Sequence, residues 1–146
     1  MERFRGLTVR EPMKLLAEVV EHFDGPEISI EGYNFTQYDF QNVGDVEFDK
    51  PLPSLEKNII SPPSNFVVIR PGREAKVRLV EWLSKLGTHE ENIVHVQINV
   101  DGMRVFQAHD HFDQAGVYLI EHAAEEMVPR LLKRRIIRGS FFPDRC

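Results

Sequence analysis

The sequence predicts an α+β fold: an antiparallel or mixed sheet with helices on one face. Three observations predict it. Two stretches repeat large apolar side chains at helical spacing, Leu16, Val19, Val20 and Phe23, then Leu79, Trp82, Leu83 and Leu86. Short apolar runs bounded by proline, glycine or asparagine, such as Phe66 to Arg70, read as strands. Between them Ile93 to Val100, Asp101-Gly102 and Met103 to Phe112 carry the signature of a β-hairpin, because Asp-Gly readily takes the two positive φ values of a type I′ turn.

The elements follow in order. Thr8 and Glu11 have the spacing of a capping box, with Pro12 in the first turn, where its missing N–H costs little. Met1 to Arg5 is read as the lead-in to this charged helix. Asp24-Gly25-Pro26 ends it, and Ile28 and Ile30 alternate with polar residues as a short strand. Residues 33–64 have weak periodicity and four prolines; a short strand at Val46 to Phe48 is expected there. Strand 66–70 is followed by the second helix, which ends near Gly87, and then by the hairpin.

Residues 115–127 have two readings: one long helix kinked at Pro129, or a strand at Gly116 to Glu121 followed by a short helix starting at Pro129. The second is preferred, because proline inside a helix costs about 3 kcal/mol and at its first position almost nothing. A last strand at Ile136 to Phe142 would complete a ferredoxin-like βαββαβ core over 65–146, with 1–64 as an acidic helix–strand–loop extension of a single domain, 1–146.

The totals bound the function. With 146 residues, 42% hydrophobic and 28% charged, the chain has the composition of a globular protein and not of a disordered one. Its one cysteine, Cys146, permits neither an internal disulfide nor a cysteine zinc site. No segment has the length and apolar character of a membrane span, and the start lacks an apolar leader, so the reading expects a cytoplasmic protein. Net charge is −5, and residues 1–64 carry twelve acidic against six basic side chains. That field argues against nucleic acid as the partner, although Arg130, Lys133, Arg134, Arg135 and Arg138 form a local basic run.

Phosphate loops, nucleophile elbows and H-E-x-x-H motifs are absent; Pro71-Gly72 before a helix is at most a modest anion nest. The hairpin carries the one candidate site. In an unbulged register Val96 faces Gln107 and Val94 faces His109, so His109 and His111 share a face and converge, with Asp113 and His122 as further ligands for zinc or iron. A bulge would swap the faces. Met13, Trp82 and Phe141 are expected in the core. The leading expectation is a cytoplasmic, non-enzymatic binding or regulatory domain without a cofactor. It would engage a protein partner, or a second copy through an unpaired sheet edge, with Tyr33, Phe35, Tyr38 and Phe40 as interface aromatics. The alternative is a small metal-dependent hydrolase or other metalloenzyme built on the His-x-His pair.

Overall fold

The computed structural model describes residues 3–32, 44–48, 65–85, 93–109, 111–113 and 116–143. The chain runs β1 (Phe4–Val9), α1 (Pro12–His22), β2 (Pro26–Gly32), β3 (Asp45–Phe48), β4 (Asn65–Arg70), α2 (Arg73–Lys85), β5 (Ile93–Val100), β6 (Met103–Ala108), β7 (Val117–Ile120), α3 (Glu121–Lys133) and β8 (Ile137–Phe141). All eight strands join one sheet in the order β3-β4-β2-β5-β6-β7-β1-β8, and every neighbouring pair is antiparallel. The α+β class is therefore as the sequence implies, with three helices among the described residues. The four-stranded ferredoxin-like order is not what forms.

The reason lies in the amino-terminal strands. The sequence reading puts residues 1–64 in an extension with no strand before the first helix, but β2 sits between β4 and β5, and Phe4–Val9 forms β1 between β7 and β8. Both split the β–α–β units that flank them. β1 escapes a period-2 reading because Arg5 and Gly6 interrupt its apolar residues and only Leu7 is fully buried on the helix side. Its pairing with β7 and β8 holds it instead, together with an Arg5–Glu121 ion pair to the first turn of α3 and a 2.8 Å bond from the Glu121 N–H to the Arg3 carbonyl.

α1 begins at Pro12 as expected, yet without the capping box. Thr8 is still in β1 and Glu11 occupies the cap position with no side-chain capping bond, its carboxylate pairing with Lys14 instead. The N–H groups of Arg10 and Glu11 donate instead to the Ile136 carbonyl, at 2.9 and 3.0 Å, which ties the helix entrance to the start of β8. Met13, Leu15, Leu16, Ala17, Val19 and Val20 are all buried. They share one core with Ile28, Ile30, Val67, Ile69, Val96 and Ile98 of the sheet, Leu79 and Leu83 of α2, and Met127 and Leu131 of α3. Each Val, Leu, Ile or Met side chain among them contributes about 1.5–3 kcal/mol on removal from water.

Residues 117–133 combine the two readings. The strand forms, but the helix starts directly after it at Glu121 and runs through Pro129. Burial of Ala123, Ala124, Met127, Val128 and Leu131 outweighs the one backbone bond that proline removes. Trp82 is half-buried and Met13 buried, whereas Phe141 is 37% exposed and Phe142 44%. Phe141 lies outside the helix-side core because it crosses Gly6 of β1: a Cβ at Gly6 would fall on its ring. Among the described residues no helix is long and apolar enough to cross a membrane.

Candidate functional site

The opposite face of the sheet carries buried polar side chains beside apolar ones, Phe66 and Val68 of β4 among the latter. Ser29 and Glu31 of β2 and His95 and Gln97 of β5 alternate with core residues, and all four are buried, Glu31 at 0% and His95 at 3% exposure. Pairing sets Ser29 against Gln97 and Glu31 against His95. A row of polar side chains thus crosses the strands at right angles to the chain direction.

β6 extends this row through a bulge. The Asp101-Gly102 turn has φ of 51° and 78°, the double positive value of a type I′ reversal, and Val100 pairs with Met103 as expected. Then Asn99 pairs with Arg104 but Ile98 pairs with Phe106, so Val105 is surplus. The expected pairings of Val96 with Gln107 and of Val94 with His109 are therefore corrected: Ala108 faces Val96 and Gln107 faces Gln97. The driving force is visible in the side chains. Without the bulge Phe106 would stand on the polar face and Gln107 in the core; with it, Val105 and Phe106 are both buried, at 1% and 0% exposure.

The bulge delivers His109 to His95. Their Nδ1 atoms are 3.2 Å apart, with ring centroids at 5.1 Å and planes at 62°. On the far side of His95, its Nε2 is 3.9 Å from Glu31 Oε2. Glu31 of β2, His95 of β5 and His109, just after β6, thus form a line from a buried carboxylate to a half-buried imidazole. Gly116 continues the row beyond His109: its carbonyl accepts the His109 N–H at 3.0 Å, and a Cβ there would press on the His109 carbonyl and Cβ at 3.2 and 3.3 Å.

The proposed ligand set is not assembled. β6 stops at Ala108, and His111 and Phe112 take left-handed φ of 58° and 61°, which breaks the alternation that was to align His109 with His111. His111 is exposed, its N–H donating to the Val94 carbonyl at 2.9 Å, while Phe112 turns inward. Asp113 is exposed and closes a turn back to the His109 carbonyl at 3.1 Å; His122 is exposed on α3. Among the described residues no three His, Cys, Asp or Glu side chains group as a metal cage. Tyr33, Phe35, Tyr38 and Phe40 lie outside the described residues.

Two open depressions flank the polar row. One, of about 330 Å³, is lined by Phe4, Gln97, Asn99, Gly102, Met103 and Arg104, with the Arg104 guanidinium 5.3 Å from the Phe4 ring centroid. The other, of about 360 Å³, includes Glu27, Arg70, Pro71 and Gly72. Arg70 there bonds Glu27 and Glu47, each at 2.8 Å, and these two carboxylates raise its pKa above the usual arginine value. Two negative charges against one positive make this rim a poor anion nest. The basic run is likewise partly engaged, since Arg130 and Arg134 both pair with Glu18 of α1.

The alternation of Ile93 to Val100 sets His95 on the face opposite Val94, Val96 and Ile98, but nothing in residue order names Glu31 as its neighbour. The available signal was a glutamate in a strand position between apolar residues, which a buried cation or imidazole has to answer. No family model, curated protein or solved structure matches the chain, so the chemistry of the site rests on its residues alone.

Proposed function

We propose that this protein is a non-enzymatic interaction domain that presents the edge strand β8 to a protein partner, in the first instance a second copy of itself. One observation carries the reading: β8 ends the sheet among the described residues, and it exposes Phe141, with Phe142 beside it, at that edge. An unpaired strand offers a row of backbone donors and acceptors to another strand. Exposed aromatic residues add apolar area that only a partner would cover.

The two edges differ in a way that supports this choice. β3, at the other end among the described residues, is short and carries Asp45 and Glu47, charges that discourage strand addition. In β8 the register with β1 shifts between Thr8 and Val9, which leaves Arg138 at an irregularity and Gly139 to Phe141 regular. An antiparallel twofold pairing centred on Ser140 would set Gly139 opposite the second copy's Phe141 and Arg138 opposite its Phe142. Aromatic rings over glycine and over a guanidinium already occur within the chain, at Gly6 with Phe141 and at Arg5 with Phe142, 4.5 Å to the ring centroid.

Sedimentation equilibrium tests the reading. The chain is expected to dimerise in the micromolar range, and Ser140→Lys, which sets two lysines face to face across the axis, is expected to give a monomer with an unchanged melting temperature. A wild-type chain that stays monomeric up to its solubility limit overturns self-pairing, and a partner of different sequence then becomes the occupant to seek.

A further inference from the structure

We propose that the depression beside Arg104 binds a small organic carboxylate, with Arg104 and Asn99 as the donors and Phe4 and Met103 as its apolar walls. It lies at the turn end of the hairpin, away from the β8 edge, and stands independently of self-pairing.

The first argument is charge. The lining of Phe4, Gln97, Asn99, Gly102, Met103 and Arg104 holds one cation and no carboxylate. Arg5 of β1 pairs with Glu121, and Arg70 of β4 with Glu27 and Glu47. Arg104 instead lies 5.3 Å from the Phe4 ring centroid and pairs with no acidic side chain among the described residues. Glu27, opposite Asn99 in the strand register, is taken up by Arg70 at 2.8 Å. In a chain of net charge −5 this is a local positive spot, which favours an anion.

The second argument is the set of donors. An aromatic face attracts the guanidinium charge and leaves N–H groups of its fork open to oxygen. A carboxylate matches that fork with two parallel N–H···O bonds, which a spherical anion cannot make. Asn99 pairs directly with Arg104 across β5 and β6, so the two side chains leave the sheet on one face. Asn99 Oδ1 accepts a bond from Gln97 Nε2 at 3.2 Å, which fixes the amide and leaves Nδ2 as a second donor beside the guanidinium.

The third argument is shape. A volume of about 330 Å³ belongs to the small end of ligand sites, and Gln97, 7% exposed, lies at its base. Gly102 keeps the turn side open, with no atom within 4 Å of where a Cβ would stand. Half-buried Phe4 and exposed Met103 supply apolar surface next to the donors. A carboxylate on a short apolar body satisfies both parts of the lining, the head at Arg104 and Asn99 and the body against Phe4 and Met103.

Phenylacetate titrated into the full chain, followed by nitrogen–proton correlation spectra, tests the site, with phenylacetamide as the uncharged counterpart. Saturable shifts of the Asn99 side-chain amide and of the Arg104 Nε–H are expected, with a Kd of about 1 mM or below. Phenylacetamide should bind about 10–100-fold more weakly, and Arg104→Gln should weaken phenylacetate by a similar factor. The melting temperature of that variant should match the wild type, because the side chain is exposed. Lys133→Gln, which removes an exposed cation elsewhere, should leave binding unchanged. Absence of saturable shifts at Asn99 and Arg104, equal binding of phenylacetamide, equal binding by Arg104→Gln, or an equal loss in Lys133→Gln overturns the proposal and leaves Arg104 as a cation resting on Phe4.

Discussion

Gly6 shows how much one missing side chain decides. The ring of Phe141 occupies the space a Cβ would take, on the same face as the polar row. Gly6→Ala is expected to destabilise the chain by about 1–3 kcal/mol through overpacking. In a Phe141→Ala background the same change should cost much less, and urea denaturation of the four-member cycle measures that coupling. Val105 acts on a longer range, because one extra residue turns every later side chain of β6 to the other face. Phe106→Ala should cost about 3–5 kcal/mol in the same assay, since the ring fills a fully buried position. At this scale the sequence was half legible. The type I′ turn follows from Asp-Gly chemistry, which is local. The bulge does not, because it is set by whether Phe106 or Gln107 wins the core, and that contest depends on the strands beside them.

Helices announced themselves and the first strand did not. Leu16, Val19 and Val20, like Leu79 and Leu83, lie on stripes whose period is a property of the segment, so they are readable without knowing the neighbours. β1 has no such signature, being stabilised by β7 and β8 from the far end of the sequence. In α3 the local rule misled: Pro129 is exposed and sits inside the helix, held there by the buried side chains around it. Pro129→Ala is expected to stabilise the protein by about 1–3 kcal/mol, read as a raised thermal midpoint, because a backbone N–H is restored without loss of core area. α1 and α3 are also joined through Glu18 to Arg130 and Arg134 and through His22 to Glu126 at 3.6 Å. The arginines are about half exposed, so Glu18→Gln should cost less than about 1 kcal/mol and less still at high salt.

At the level of the molecule, the site joins three segments that the sequence keeps apart: Glu31 from β2, His95 from β5 and His109 after β6. Neither half was visible from residue order, since the bulge brings His109 to the face of His95 and the pairing of Glu31 with His95 is a fact of strand order and not of spacing. The same order leaves β8 at the margin, where a second copy is expected to add. It also places the earliest strand between two of the last to be made, with Gly6 paired to Phe141. A ribosome would release β1 well before its partners exist, and this half of the sheet has nothing to close on until β8 has emerged. Folding is therefore expected to be late in synthesis and slow for the chain's size, as non-local pairing demands. Stalled nascent chains should stay protease-sensitive until β8 has cleared the exit tunnel, and then become resistant in one step.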